Sequence, residues 1–350
     1  MLRSLSPLEA ALLPRCSFPP PGSDVALAVS GGADSLCLLA LAGAAGCRAT
    51  AYHVDHGLRA GSAGEAALVA GAAGRLGAGF VALTVDIRPG PNLEARARLA
   101  RYANLPAGVA TGHTADDQAE TILLNLLRGA STDGLAGMRS GTRHPILRLR
   151  RFETHALCAE LGLEVVEDPS NDDRSYMRNL VRHELLPALA KASDRDLVPV
   201  LCRQASHFAA ESDFLDNLSL ALDPSDAKAL ASAPVVLARR SVRRWLRSTD
   251  PEGHPPGSAA VERVLSVARG EALACEIPGG TRVRRRSGRL VLVPAAVPGG
   301  TTAAPGEATV SPPAGEAPSS GGPVSPAAEP SPPPVEVTAN RPGSTDARAH

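Results

Sequence analysis

The sequence predicts an α/β protein: an open parallel sheet with helices on both faces, then a smaller, mainly helical C-terminal domain and a disordered tail. Three observations predict it. From Val25 to about Gly129, short apolar runs alternate with stretches of helical periodicity. After Arg150 helical patterns dominate, and Pro294 to His350 consists largely of Pro, Ala, Gly, Ser and Thr. Alternating strands and helices are the signature of a parallel sheet, whereas a chain poor in large apolar residues cannot offset its ordering entropy.

The elements follow in order. VALAV (Val25 to Val29) reads as a first strand feeding the helix SLCLLALAGAA; RATAYHV (Arg48 to Val54) reads as a second, before a helix near Glu65 to Leu76. FVALTV (Phe80 to Val85) precedes a helix over Asn92 to Asn104, and GVAT (Gly108 to Thr111) precedes ADDQAETILLNLLRG. Further helices are expected at Phe152 to Leu161, Tyr176 to Ala190, Leu197 to Leu220, Pro234 to Arg247 and Ala259 to Arg269, with short strand-like pieces before Val293. The resulting division is an N-terminal segment 1–21, a first domain 22–192, a second domain 193–293 and a tail 294–350.

Composition narrows the function. Of the 350 residues 44% are hydrophobic, enough for sizeable cores, and the formal charge is zero, so any grip on nucleic acid must come from local patches. The six cysteines, Cys16, Cys37, Cys47, Cys158, Cys202 and Cys275, form no CxxC pair, which argues against zinc or iron–sulfur clusters. No signal-peptide pattern opens the chain and no apolar run approaches a membrane span, so a cytoplasmic protein without membrane contact is expected.

The segment Ser30 to Ser35, SGGADS, closes the first strand and opens a helix. Such a turn aims unpaired backbone N–H groups and the positive end of the helix at an anion. A Walker loop would need a Gly-Lys-Ser/Thr ending, and no lysine stands here; the only lysines are Lys191 and Lys228. A Rossmann fingerprint would need glycine where Ser35 stands. Ser30, Gly31, Gly32, Ala33, Asp34 and Ser35 are therefore the candidate phosphate site. The alternative is a structural strand-to-helix turn.

A second set of polar residues lies downstream. HVDHGLR (His53 to Arg59) follows the second strand, and NLEARARLARY carries Arg98 and Arg101 on one helical face. TGHTADDQAET gathers His113, Asp116, Asp117 and Glu120 within about one helical turn, a candidate acid–base and cation-binding cluster. Capping of a helix by Thr114 and Asp117 explains part of it. EDPSNDDRSYMRNLVRHELLPAL adds Arg178, Asn179 and Arg182, with the arginines four apart and able to clamp a nucleotide or RNA backbone. Arginines at 239, 240, 243, 244 and 247, and again at 282, 284, 285, 286 and 289, are candidate contacts to RNA phosphate.

SGGADS resembles the pyrophosphatase loop of N-type ATP pyrophosphatases, and the ordered set of six segments, ending in RHELLPAL, resembles the tRNA(Ile)-lysidine synthetases over Val25 to Leu189, and more weakly over Ile277 to Val293. The resemblance implies an adenine nucleotide alpha hydrolase-like fold and an AMP-forming ligase of carbon–nitrogen bonds. ATP would adenylate the wobble cytidine of an isoleucine tRNA with a CAU anticodon; free L-lysine would then displace AMP to leave lysidine. It implies that Ser30, Gly31, Gly32 and Ser35 cradle pyrophosphate, that Asp34 helps hold Mg2+, and that His113, Asp116, Asp117 and Glu120 position lysine or metal. Arg101, Arg178, Asn179 and Arg182 would address nucleotide or tRNA phosphate. A homodimer is left open. Two departures stand out: ANLPAGVA is a short link where the family has a longer helix, and His144-Pro145-Ile146-Leu147 replaces Arg-Pro-Leu-Leu. The missing arginine's contact is either lost or supplied by Arg143. Runner-up readings are a tRNA thiolase of the same superfamily and an inactive nucleotide- and RNA-binding homologue.

Overall fold

The computed structural model describes residues 4–55, 62–85, 96, 100, 103–166, 174, 176–250 and 256–293. Residues 56–59 of HVDHGLR, Arg98 and Arg101, residues 167–173 and the tail from Pro294 lie outside them. The chain divides at Phe214–Leu215 into two compact units.

In the first unit α1 (Pro7–Leu12) precedes β1 (Asp24–Ala28), α2 (Ala33–Ala44), β2 (Arg48–Asp55), α3 (Ser62–Arg75), β3 (Gly79–Thr84) and β4 (Ala110–Thr111). The strands form one parallel sheet in the order β3-β2-β1-β4, with Leu27 level with Ala110 and Ala28 with Thr111. Helix α2 is apolar on nearly every side, and Leu36, Cys37, Leu38, Leu39, Ala40 and Leu41 have no solvent exposure. A helix apolar all round belongs inside a core, and each leucine so buried contributes about 1.5–3 kcal/mol. Leu27, Ile146, Leu149 and Leu157 complete the same cluster. The expected strands, and the helices after the first and second of them, appear near their predicted positions, while the last strand is reduced to two residues and the helix expected over Asn92 to Asn104 lies almost entirely outside the described residues.

Beyond β4 come α4 (Ala115–Leu127), α5 (Thr132–Leu135) and α6 (Arg151–Glu160). The single helix expected over Tyr176 to Ala190 is instead α7 (Met177–Leu180), a π turn (Val181–Leu185) and α8 (Leu186–Ser193). The cause is Pro187. It has no N–H for the preceding turn, and Leu186 N–H bonds to Val181 O five residues back, the signature of a π insertion. Helix α9 (Leu197–Leu220) carries the division between the units.

The second unit adds α10 (Ala227–Ser232), α11 (Val235–Thr249), α12 (Ser258–Arg269) and an antiparallel sheet of β5 (Ala274–Glu276), β6 (Arg282–Arg286) and β7 (Arg289–Val293). Val242, Val261, Val264, Leu265, Val283 and Leu290 form its core. Three of the five arginines of α11 are held by partners within this unit: Arg239 pairs with Glu262 at 2.5 Å, buried Arg240 with Asp216 at 2.6 Å, and Arg244 donates to Ser219 at 2.8 Å. On β6, Val283 faces inward and Arg285 donates to Ala268 O at 3.1 Å, capping the end of α12. Alternation turns Arg282, Arg284 and Arg286 to the other, exposed face.

A candidate active site at the carboxyl ends of β1 and β4

The strand order places β1 where the succession reverses: β2 and β3 extend on one side of it, β4 on the other. Crevices for ligands in open parallel sheets form at this point, beyond the carboxyl ends of the strands. Both candidate segments leave from there, Ser30 to Ser35 from β1 and Gly112 to Glu120 from β4.

Gly31 adopts φ +87°, and its carbonyl accepts the Val166 N–H at 3.0 Å. A side chain at this position would meet Val166 Cγ2 at 2.9 Å, so both conformation and space require glycine. The serines lock the loop internally. Ser35 donates to Gly32 O at 2.8 Å and its oxygen accepts the Ser30 N–H at 3.1 Å, with the Ser30 hydroxyl 3.4 Å away. Gly32 is the N-cap of α2 and Ala33 its first residue. The cradle is therefore made of backbone N–H groups at the start of a helix, the arrangement suited to phosphate. Gly112 brings the opposite lip against it, since an added Cβ would sit 2.8 Å from Asp34 O.

Asp34, in the first turn of α2, accepts hydrogen bonds from the Thr154 hydroxyl and from Arg151 Nε at 3.4 Å. Burial raises its pKa, and Thr154 and Arg151 oppose the rise. Arg151 is also the link to the second cluster. Its NH2 lies 2.9 Å from Asp117 Oδ1 and its NH1 3.2 Å from Glu120 Oε1. Arg178 donates to Glu120 at 2.8 Å and to Asp117 at 3.0 Å, and Arg182 donates to Glu120 at 2.6 Å. Glu120 is 1% exposed, and these guanidinium groups surround it with the partners that a buried carboxylate needs.

The sequence grouped Asp116 with Asp117, but they point to different partners, as adjacent helical residues separated by about 100° must. Asp117 Oδ2 accepts both the N–H and the hydroxyl of Thr114 at 2.9 Å, which is its capping role, while Oδ1 faces the arginines. Although burial pushes its pKa up, Arg151, Arg178, the Thr114 N–H and His113 hold it below the usual carboxylate range. Asp116 accepts the Arg151 backbone N–H at 2.8 Å and Arg150 Nε at 3.1 Å, so it caps α6 and ties that helix to α4. Asn179 is buried. The helix expected to bring up both arginines does so with Arg178 on α7 and Arg182 in the π turn that follows it.

His113, which bears electrostatically on Asp117, has a second set of neighbours. Its Nδ1 lies 2.6 Å from Thr111 Oγ1, and its ring meets the His144 ring edge to face, centroids 5.1 Å apart. Both rings line a cleft of about 600 Å³ together with Met138, Arg139 and Arg143. Among the described residues no group of three His, Cys, Asp or Glu side chains is arranged to hold a metal. All six cysteines are free thiols with raised pKa, Cys16 and Cys158 to about 12 and Cys202 to about 11, chiefly through burial. None is a poised thiolate.

Sequence reasoning missed Arg150, Arg151 and Thr154: it placed an ordinary helix over Phe152 to Leu161 and gave no role to the two arginines before it. A signal was present. Arg151 is the first residue of α6, where a cation opposes the helix dipole, and such a residue is retained when carboxylates elsewhere hold it.

Comparison with known proteins bears on both units. A family model described as "PP-loop domain" matches residues 10–189, and one described as "TilS substrate binding domain" matches residues 226–291. The tRNA(Ile)-lysidine synthase of Rhodococcus opacus (strain B4) is 38% identical, the alignment covering 77% of this chain and 90% of that protein. The enzyme of the same name from Salinispora tropica is 40% identical over 79% of this chain and 92% of its own length. That from Nocardia farcinica is 37% identical, with 77% and 91% covered.

Proposed function

The chain belongs to the tRNA(Ile)-lysidine synthase family, and from that premise we propose that it adenylates the wobble cytidine of an isoleucine tRNA and ligates free lysine to it. The observation that carries this reading is Arg151, which joins Asp34 of the phosphate loop to Asp117 and Glu120 of the acid cluster. One crevice thus has a site for a leaving anion beside a site for a cation.

In the first step the cytidine ring carbonyl oxygen attacks the α-phosphorus of ATP, the bond to the β-phosphate breaks and pyrophosphate leaves. Backbone N–H groups of Gly31 to Asp34 receive that charge, since those of Ser30 and Ser35 are bonded within the loop; this electrostatic contribution is greatest where the donors are already in place. Asp34 is a hard-oxygen donor at the mouth of the loop. One carboxylate together with phosphate oxygens suits Mg2+, which when bound would neutralise the leaving group. Arg151, Arg178 and Arg182 are cations that phosphate would recruit, and Arg101 is retained as a further candidate contact.

In the second step an amine of lysine attacks the adenylated carbon, and AMP leaves with the oxygen. Asp117, held ionised by its arginines, suits binding an ammonium group and is a poor base. Glu120 shares that role. The amine must lose a proton before it attacks, and His113 is the group of the cluster suited to take it. Asp116 supports the site by anchoring α6.

The tRNA is gripped in part by Arg282, Arg284 and Arg286. Arg289, directly opposite Arg286 in the ladder, is held by Asp223 at 2.8 Å, whereas Arg282, Arg284 and Arg286 lie on the exposed face of the strand.

One assay tests the proposal: protein, an isoleucine tRNA transcript bearing CAU, ATP, magnesium and labelled lysine. Label entering the tRNA with stoichiometric AMP is expected. Binding of tRNA and ATP without AMP would identify an inactive homologue and overturn the reading.

A further inference from the structure

Phe152, the second residue of α6, is 66% exposed. A single exposed phenylalanine is ordinary; what sets this one apart is how its ring is held. Arg150 Cζ stands over the ring, 5.6 Å from its centroid, within cation–π range. That guanidinium is itself fixed, by Asp116 at 3.1 Å and by Asp196. The ring is therefore backed by an immobilised cation while most of its surface stays open to solvent.

Its place in the chain ties it to the site. Arg151, whose Cα is ~3.8 Å from that of Phe152, joins Asp34 to Asp117 and Glu120. Charge around the ring suits a polyanion. The carboxylates beside it are taken, Glu153 by Arg15 at 2.5 Å and Asp196 by Arg150, whereas the side chain of Arg148 is exposed and has no partner among the described residues. The exposed positions further along α6, His155, Ala156, Ala159 and Glu160, carry no large apolar side chain. No apolar patch for a protein partner extends from the ring. A flat aromatic surface beside a free cation is instead what single-stranded nucleic acid takes, the base on the ring and the phosphate on the cation.

We propose that Phe152, backed by Arg150, is the stacking platform for a base adjoining the wobble cytidine. Chemistry on a ring atom of a base requires that base to leave its stack, which bares the face of its neighbour. The Phe152 ring covers that face and holds the strand so that the cytidine enters the crevice. Phe152 is thus a positioning residue and touches no reacting atom. The proposal rests on the tRNA substrate given under the proposed function, and its test separates the two.

Binding of an end-labelled isoleucine tRNA transcript bearing CAU to the full chain, followed by fluorescence anisotropy over a range of salt, reads the platform without catalysis. Phe152→Ala should weaken binding about tenfold with the salt slope unchanged, because stacking releases no counterions. KM for the transcript should rise by the same factor and KM for ATP should stay. Phe152→Tyr should restore both. An abasic nucleotide on one side of the wobble position should weaken wild type as Phe152→Ala does, and the two changes together should cost no more than either alone. Thermal melting shows whether Phe152→Ala folds; if it does not, Phe152→Leu, apolar but without a flat face, carries the test. Unchanged affinity, a loss that tyrosine does not restore, or losses additive with an abasic nucleotide on either side overturns the proposal. If the losses coincide as expected while the transcript and ATP yield no AMP, the platform stands and the assigned reaction falls.

Discussion

In the first unit Arg151, Arg178 and Arg182 converge on Glu120, a carboxylate almost sealed from water. In the second unit Arg282, Arg284 and Arg286 alternate along an exposed strand, facing Glu276, Ala274 and Arg289 across the ladder. The same side chain neutralises buried charge in one place and presents charge to solvent in the other. The difference lies in desolvation. A guanidinium beside a buried carboxylate loses water and gains a partner whose removal is costly, whereas one on an exposed strand keeps its hydration until an anion arrives.

The hardest way to break this contrast is at Glu120. Glu120→Gln leaves three guanidinium groups around a neutral amide, and the expected loss is about 2–4 kcal/mol of stability, read from the denaturant midpoint, the upper figure for buried pairs being reduced by partial exposure of the arginines. Asp34→Ala should do the reverse. It removes a carboxylate whose burial raises its pKa, so stability should hold or rise, while tRNA-dependent AMP formation falls on the order of 100-fold. Full turnover in that variant would remove Asp34 from the chemistry.

Changing Arg282, Arg284 and Arg286 together to alanine should weaken tRNA binding and reduce its salt slope by about 1 per arginine, as expected for released counterions. An unchanged slope would sink the second half of the contrast. Arg285→Ala sharpens it within a single strand. This arginine caps α12 through Ala268 O, so its loss should cost about 1 kcal/mol of stability and leave the salt slope alone.

The pH dependence of stability should distinguish the two carboxylates of the first unit. Asp117 has a depressed folded-state pKa, so its contribution is present above the unfolded value and disappears as pH falls through the folded one. Asp34 has a raised pKa, so stability falls as pH rises from its unfolded value through its folded one. Acid titration of stability in Asp117→Asn should accordingly be flatter than wild type below about pH 4, and Asp34→Asn should gain stability at neutral pH. A titration curve unchanged in both variants would show that neither environment matters.

Much of the fold was legible because period and punctuation are local. VALAV followed by SGGADS and an apolar helix leaves little choice but a buried strand, a tight turn and a core helix, and the structure has β1 and α2 there. The interruption of the helix over Tyr176 to Ala190 was marked by Pro187, yet a proline alone does not say whether a helix kinks, ends or adopts a π turn. Within the site, the capping of α4 by Thr114 and Asp117 was readable from spacing of three. The split between Asp116 and Asp117, the buried position of Glu120 and the part played by Arg151 were not.

The sequence by itself determined the order of strands and helices, the glycine turn and the family to which the chain belongs, because each is written in contiguous residues. Tertiary structure alone decided which arginines answer which carboxylates. Arg151 is 117 residues from Asp34 and 31 from Glu120, and an ion pair across such distances depends on how helices pack and what they shield from water, which no local pattern encodes.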